Sequence, residues 1–126
     1  MAAGNVKSYR DLLVWQKGIA LADIVYAETK TFPKEELYGM TIQVRRAAAS
    51  IPSNIAEGWG RESTKNYVQF LKISRGSLFE LETMMIICRN QKYLPDTALQ
   101  SILKVTGELT KMLNAIISKL NSYQTE

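Results

Sequence analysis

Histidine is absent from this sequence of 126 residues. Its absence removes the commonest general acid–base and the commonest metal ligand, and with them Ser-His-Asp triads, Cys-His dyads and the Glu-x-x-His di-metal sites of ferritin-like bundles. The expectation is a protein that is not an enzyme, with no catalytic residue, no metal and no cofactor. Cysteine is nearly as scarce. Cys88 stands alone, so it forms no internal disulfide and anchors no zinc site, and packing is its expected role. Long apolar runs are missing too: no stretch approaches the roughly 18 uncharged residues of a membrane span, and Met1 to Asn5 lacks the regions of a signal peptide. A cytoplasmic protein with no membrane partner is expected.

What is present is the material of a folded globular chain, 46% hydrophobic and 22% charged, far from the composition of disorder. The length fits one domain over residues 1–126. A net charge of +4 is modest, but it sums in a homo-oligomer and biases the surface toward phosphate-bearing partners.

Hydrophobic periodicity predicts four helices, over about 10–31, 35–59, 63–91 and 95–121. The first carries Leu12, Trp15, Ile19, Ala22, Tyr26 and Thr29 at alternating spacings of three and four, which places them on one helical face. Phe32-Pro33 closes it. The second stripe is Leu37, Met40, Val44, Ala48, Ile51, Ile55 and Trp59. Pro52 inside it removes a donor and crowds the Ala48 carbonyl, so a kink or a split is expected there. Gly58-Trp59-Gly60 suits a left-handed or open helix end. Ser63 reads as the N-cap of a third and longest helix, with the stripe Tyr67, Leu71, Ser74, Leu78, Leu81, Met85 and Cys88 and a second row of Phe70, Ser77 and Met84. Leu94-Pro95-Asp96 precedes the fourth stripe, Leu99, Ile102, Thr106, Leu109, Leu113, Ile116 and Leu120. Short connections make successive helices antiparallel, so the fold class is all-α, an up-down-up-down four-helix bundle with loose ends at Met1 to Ser8 and Ser122 to Glu126.

Several segments resemble a known family. They are Asp11-Leu12-Leu13-Val14-Trp15-Gln16-Lys17, Phe32-Pro33-Lys34-Glu35-Glu36 with Tyr38-Gly39, and Gln43-Val44-Arg45-Arg46-Ala47 leading into Ser50-Ile51-Pro52-Ser53-Asn54-Ile55-Ala56-Glu57-Gly58. Phe70-Leu71, Gly76-Ser77, Glu80-Leu81-Glu82-Thr83 and Tyr93-Leu94 complete the set. From about Tyr9 to Leu120 the chain is similar to the four-helix bundle proteins encoded in intervening sequences of bacterial 23S rRNA genes, also labelled S23-type ribosomal proteins. The resemblance implies a ring-like homopentamer without established enzyme activity, associated with nucleic acid mainly through the position of its genes. A related bundle, the accessory protein of diversity-generating retroelements, is similar in shape and binds a reverse transcriptase and its RNA. That likeness is one of fold, so its function comes only by analogy.

Each candidate site has a plainer structural explanation beside the functional one. Ser50, Ser53 and Asn54 around Pro52, with Glu57, would repair the kink; alternatively the segment forms a subunit interface. Arg45 and Arg46 have Glu57, Glu80 and Glu82 as possible ion-pair partners, and only one of the two can face inward, which leaves the other for RNA phosphate or a partner. Lys65, Lys72 and Arg75 line one face of helix 3, as Lys104 and Lys111 do on helix 4; such strips are ordinary solvated surface unless assembly multiplies them. Trp59, Tyr67 and Tyr93 stand near basic residues and could stack on bases, but the first two fall on core stripes. The sequence therefore leads to a homo-oligomeric bundle that binds RNA or ribonucleoprotein through Arg45, Arg46, Lys65, Lys72 and Arg75. The alternative is a protein-binding adaptor, such as a reverse-transcriptase accessory factor.

Overall fold

A computed structural model describes residues 6–124. Four long helices account for most of it: α1 Leu13–Thr29, α2 Ile42–Trp59, α3 Thr64–Asn90 and α4 Asp96–Gln124. Side-chain contacts fix their directions. Arg45 at the start of α2 meets Thr29 at the end of α1, and Pro52 near the end of α2 packs on Gly18 near the start of α1. Ser74 of α3 donates to the Ile51 carbonyl, and Arg75 and Glu82 of α3 meet Asn114 and Thr106 of α4. Lys17 of α1 pairs with Glu108 of α4 at 3.1 Å and closes the circle. This is the antiparallel four-helix bundle expected; short connections enforce it between α2 and α3 and between α3 and α4, while residues 30–41 join α1 to α2 through two irregular turns.

The core runs the length of the bundle. The stripes expected for α2, α3 and α4 supply most of it: Val44, Ala48, Ile51 and Ile55, then Leu71, Ser74, Leu78, Leu81, Met85 and Cys88, then Leu99, Ile102, Thr106, Leu109 and Leu113 are buried. Toward its C-terminus α4 buries Ile117 rather than Ile116. A straight α-helix drifts about 20° per heptad against a strict seven-residue repeat, which brings the neighbouring residue under.

Helix α1 departs from expectation. Its buried residues are Val14, Gly18, Leu21, Val25 and Thr29. Of the predicted stripe only Thr29 is buried; Leu12, Trp15 and Ala22 flank the core, while Ile19 and Tyr26 are 37% and 44% exposed. Two apolar rows with the same three-four rhythm lie side by side on this helix, and the buried one contains Gly18, which carries no hydrophobic signal. Gly18 is inside because α2 needs the room: a Cβ there would sit 3.3 Å from Pro52 Cβ.

The second predicted segment also begins differently. A 3-10 turn Lys34–Glu36 and a π turn Leu37–Thr41 precede α2, and the break in helical geometry falls at Gly39, φ −112° and ψ −111°. Leu37 is consequently exposed instead of lying in the core. Pro52 does not split α2, which is continuous to Trp59. Ser50, Ser53 and Asn54 bond the Ala47, Ala49 and Ser50 carbonyls at 2.8 Å, and Ser74 takes that of Ile51 at 2.9 Å; none of these bonds goes to the Ala48 carbonyl, the one whose helical donor Pro52 removes.

Helix ends follow their expected chemistry in part. Ser63 caps α3 by accepting from Asn66 N–H at 3.1 Å. No described glycine has positive φ, so α2 does not end through a left-handed glycine; Gly60 stays right-handed. The left-handed residue is Lys92, φ 67°. The Lys92 and Tyr93 N–H groups reach back to the Arg89 and Cys88 carbonyls at 2.9 Å, the paired bonds of a Schellman end. At 29 residues against 27, α4 is longer than α3, the reverse of the expected order. Of the ends expected to be loose, Ser8 caps a 3-10 turn at Tyr9–Asp11 and Ser122 to Gln124 continue α4, while residues 1–5 and 125–126 lie outside the described residues.

Candidate nucleic-acid interface

The outer side of α3 carries two of the candidate residues, Lys65 and Lys72. Lys65, Lys72, Gly76, Phe79, Thr83 and Ile86 follow one another at steps of seven, four, three, four and three residues. They are all exposed and lie opposite the buried stripe. Ile73 and Ile87 stand exposed on one flank. The N-terminal half of this face is thus basic and the C-terminal half apolar. Lys65 and Lys72 have no hydrogen-bonding or ion-pairing partner among the described residues, which leaves both ammonium groups to water or a ligand. Reading only the lysines of this face misses the exposed Ile73, Phe79, Ile86 and Ile87; nothing marks them in the sequence except that they fall off the core stripe.

Arg75, three residues after Lys72, does not extend the strip freely. It is half-buried at the α3–α4 seam, and its Nη1 donates to Asn114 Oδ1 at 2.7 Å. Arg45 and Arg46 separate as neighbouring residues on a helix must. Arg45 turns toward α1, where its Nε donates to Thr29 Oγ1 at 2.8 Å and its guanidinium lies 4.8 Å from the centre of the Tyr26 ring. Arg46 is exposed and borders a hollow with Gln43, Ser50, Glu80 and Met84. The ion pairs considered from sequence are not formed: Glu57 binds Arg61 at 2.9 Å, and Glu82 accepts from Thr106.

The Pro52 segment is tied to α3 rather than laid open. Pro52 is buried. Ser50 Oγ lies 2.8 Å from the Ala47 carbonyl and 2.7 Å from Ser77 Oγ. A hydroxyl has a single proton, so Ser50 donates to the carbonyl and Ser77 donates to Ser50. Ser53 and Glu57 face outward. Of the aromatic candidates, Trp59 and Tyr67 are partly buried, and burial pushes the Tyr67 phenol up. Arg61 stacks on Phe70, its guanidinium carbon 4.8 Å from the ring centre, and not on Trp59.

Tyr93, a stacking candidate from the sequence, takes part in a clasp that the sequence did not suggest. Its hydroxyl donates to Glu36 Oε2 at 2.7 Å, its ring packs on Phe32 at 5.6 Å between centres, and Glu36 Oε1 accepts from Met40 N–H at 3.1 Å. A Cβ at Gly39 would fall 2.8 Å from Glu36 Oε1, so the glycine makes room for the carboxylate. The Met40 amide first, and the Tyr93 hydroxyl second, hold the Glu36 carboxyl below its ordinary value, while the same bond raises Tyr93. A carboxyl lowered by folding stabilises the fold above its unfolded value, and that stabilisation is lost as pH falls. Urea midpoints of the wild type should therefore drop as pH passes below about 4.5, and Glu36→Gln should flatten this acid limb. Identical slopes for the two proteins would show that the clasp is not formed in solution. Next to it, Cys88 is buried and its thiol is pushed up to about 11 by burial and the Glu36 charge, which makes it a poor nucleophile.

No cluster of three Cys, Asp or Glu side chains suited to a metal ion occurs among the described residues. Among the same residues no helix is long and apolar enough to cross a membrane.

Comparison with known proteins agrees with this architecture. A crystal structure of a protein of unknown function from the S23 ribosomal protein family of Bacteroides thetaiotaomicron superposes with a TM-score of 0.76 at 24% identity, over 83% of this chain and 98% of that one. Among curated protein sequences none matches significantly. The model of the 23S rRNA-intervening sequence proteins matches residues 10–115, nearly all of the bundle. The chain belongs to the 23S rRNA-intervening sequence protein family.

Proposed function

We propose that this protein is a non-catalytic, self-assembling bundle that holds RNA, or ribonucleoprotein, through phosphate contacts. The observation that carries the reading is the outer face of α3, where unpaired Lys65 and Lys72 lead into exposed Ile73, Phe79, Ile86 and Ile87. Apolar side chains of this size on one side of one helix suit coverage by another chain, and a second copy brings its own lysines with it. Five copies, as the family resemblance implies, would carry +20 from the +4 of each chain. A field of that sign draws polyanions and releases their counterions.

The test is RNA affinity measured against salt, together with the mass in solution. Binding should weaken steeply with ionic strength. Charge reversal of both lysines, K65E with K72E, should lower affinity about tenfold or more for every RNA sequence and make the salt dependence shallower by about two units. Light scattering should give a multiple of 14.2 kDa. Affinity indifferent to salt and to both substitutions would end the RNA reading, and a monomer would remove the summation of charge. The apolar half of the same face also favours a second reading, an adaptor that docks another protein. Capture of a partner that survives nuclease treatment would select it.

A further inference from the structure

We infer that the hollow between the end of α1, the π turn and the start of α2 is a binding site for an unpaired nucleotide of single-stranded RNA. The inference rests on the RNA reading above and gives it a second, chemically different contact. The main hollow has a volume of about 480 Å³, within the range that holds a small organic ligand. Its apolar surface comes from Tyr26, Leu37, Tyr38 and Ile42. A smaller hollow of about 270 Å³ adjoins it and shares Leu37, Thr41 and Arg45.

Three features favour a nucleotide. The first is charge: Arg45 and Arg46 line the main hollow and Lys30 and Lys34 the smaller one, whereas no described Asp or Glu lines either. The acids next in sequence are Glu35, which is exposed, and Glu36, which is occupied by the Met40 amide and the Tyr93 hydroxyl. Four cations without a carboxylate suit an anion such as a phosphate diester. The second is the rings. Tyr38 is 88% exposed, an unusual position for a large aromatic side chain, and Tyr26 is 44% exposed with one face already against Arg45. Open rings beside guanidinium groups are the surface on which unpaired bases stack.

The third feature is a polar atom beneath the apolar floor. Thr41 lines both hollows, and its Oγ1 is buried with no hydrogen-bond partner among the described residues. That oxygen is closed to water as the hollows stand, so a base edge would bond it only after the π turn gives way. It sits on the π turn, an irregularity found often at functional sites. A paired duplex cannot present a base here, because its bases are stacked and bonded within the helix.

The test compares a fluorescent single-stranded RNA of about 10 nucleotides with a duplex of equal length. Four proteins are titrated: wild type, Tyr38→Ala, Tyr38→Phe and the K65E/K72E double variant. Tyr38→Ala should weaken the single strand about tenfold, the scale of losing one stacked base, and leave the duplex within twofold. Tyr38→Phe keeps the ring and should retain wild-type affinity. K65E/K72E should weaken both RNAs. Single-strand affinity unchanged in Tyr38→Ala, while the double variant still loses duplex binding, overturns the nucleotide site and spares the phosphate reading. Loss of neither RNA in any variant, or no binding by the wild type, overturns both. A change of assembled mass in Tyr38→Ala with single-strand affinity intact makes the hollow a protein contact and also overturns the inference. Because Tyr38 is exposed, its truncation leaves the core untouched.

Discussion

Leu21→Ala should destabilise the bundle by about 2–5 kcal/mol, whereas Ile19→Ala, two residues earlier, should cost under about 1 kcal/mol. The contrast decides which side of α1 is inside. Leu21 is fully buried and Ile19 is 37% exposed, so only the first truncation leaves a cavity that its neighbours cannot fill. The measurement is a pair of urea titrations read at equal slope, which excludes a change in the denatured state. If the two costs were reversed, the row through Trp15, Ile19 and Tyr26 would be the core, and the site built on exposed Tyr26 would be lost with it.

Gly58→Ala should destabilise the protein by about 1–3 kcal/mol even though alanine is the better helix former by about 1 kcal/mol. A Cβ at Gly58 would lie 2.6 Å from Phe70 Cβ, 3.0 Å from Tyr67 Cδ1 and 3.3 Å from the Tyr67 carbonyl oxygen. Phe70 Cβ is bonded directly to the backbone and cannot swing aside, so α3 itself has to move away from α2. The requirement is one of space, since Gly58 does not have a positive φ. Gly107→Ala on α4 is the control. Nothing lies within 4 Å of a Cβ there, so only the propensity gain remains, and stability should rise by about 0.5–1 kcal/mol. Equal responses at the two positions would mean that the α2–α3 contact is looser than described.

How far the fold could be read in advance depended on how many faces of each helix are apolar. In α2, α3 and α4 one row is far more apolar than its neighbours, and residues such as Ile51, Leu78 and Leu109 were identifiable from spacing alone. Helix α1 is apolar over much of its circumference, so spacing offered two equivalent rows. The choice fell to Gly18, whose missing side chain lets the ring of Pro52 approach. The broken start of α2 was hidden for a related reason: a glycine is tolerated within a helical pattern, and Gly39 acquires its geometry only where the Glu36 carboxylate needs the space.

The candidate site divides in the same way. That Lys65 and Lys72 share an outward face followed from their seven-residue spacing, and that Arg45 and Arg46 must point apart followed from helix geometry. Spacing gave no means of choosing their partners. Arg45 meets Thr29 and Tyr26, and Arg75 meets Asn114, because antiparallel packing brings together residues 16 to 39 positions apart. Glu36 and Tyr93, 57 positions apart, meet by the same packing.

By itself, then, the sequence determined the all-α class, the number and approximate ends of the helices, three of the four buried faces and the membership that its motifs suggested. These depend on periodicity and turn chemistry, which act over a few residues and are written locally. Only the tertiary structure decided which row of α1 is buried, where the chain between α1 and α2 loses helical geometry, and which polar groups pair. It also left Tyr38 and Leu37 exposed. Those outcomes depend on the volume one helix leaves for the next, and volume is a property of the packed assembly of helices.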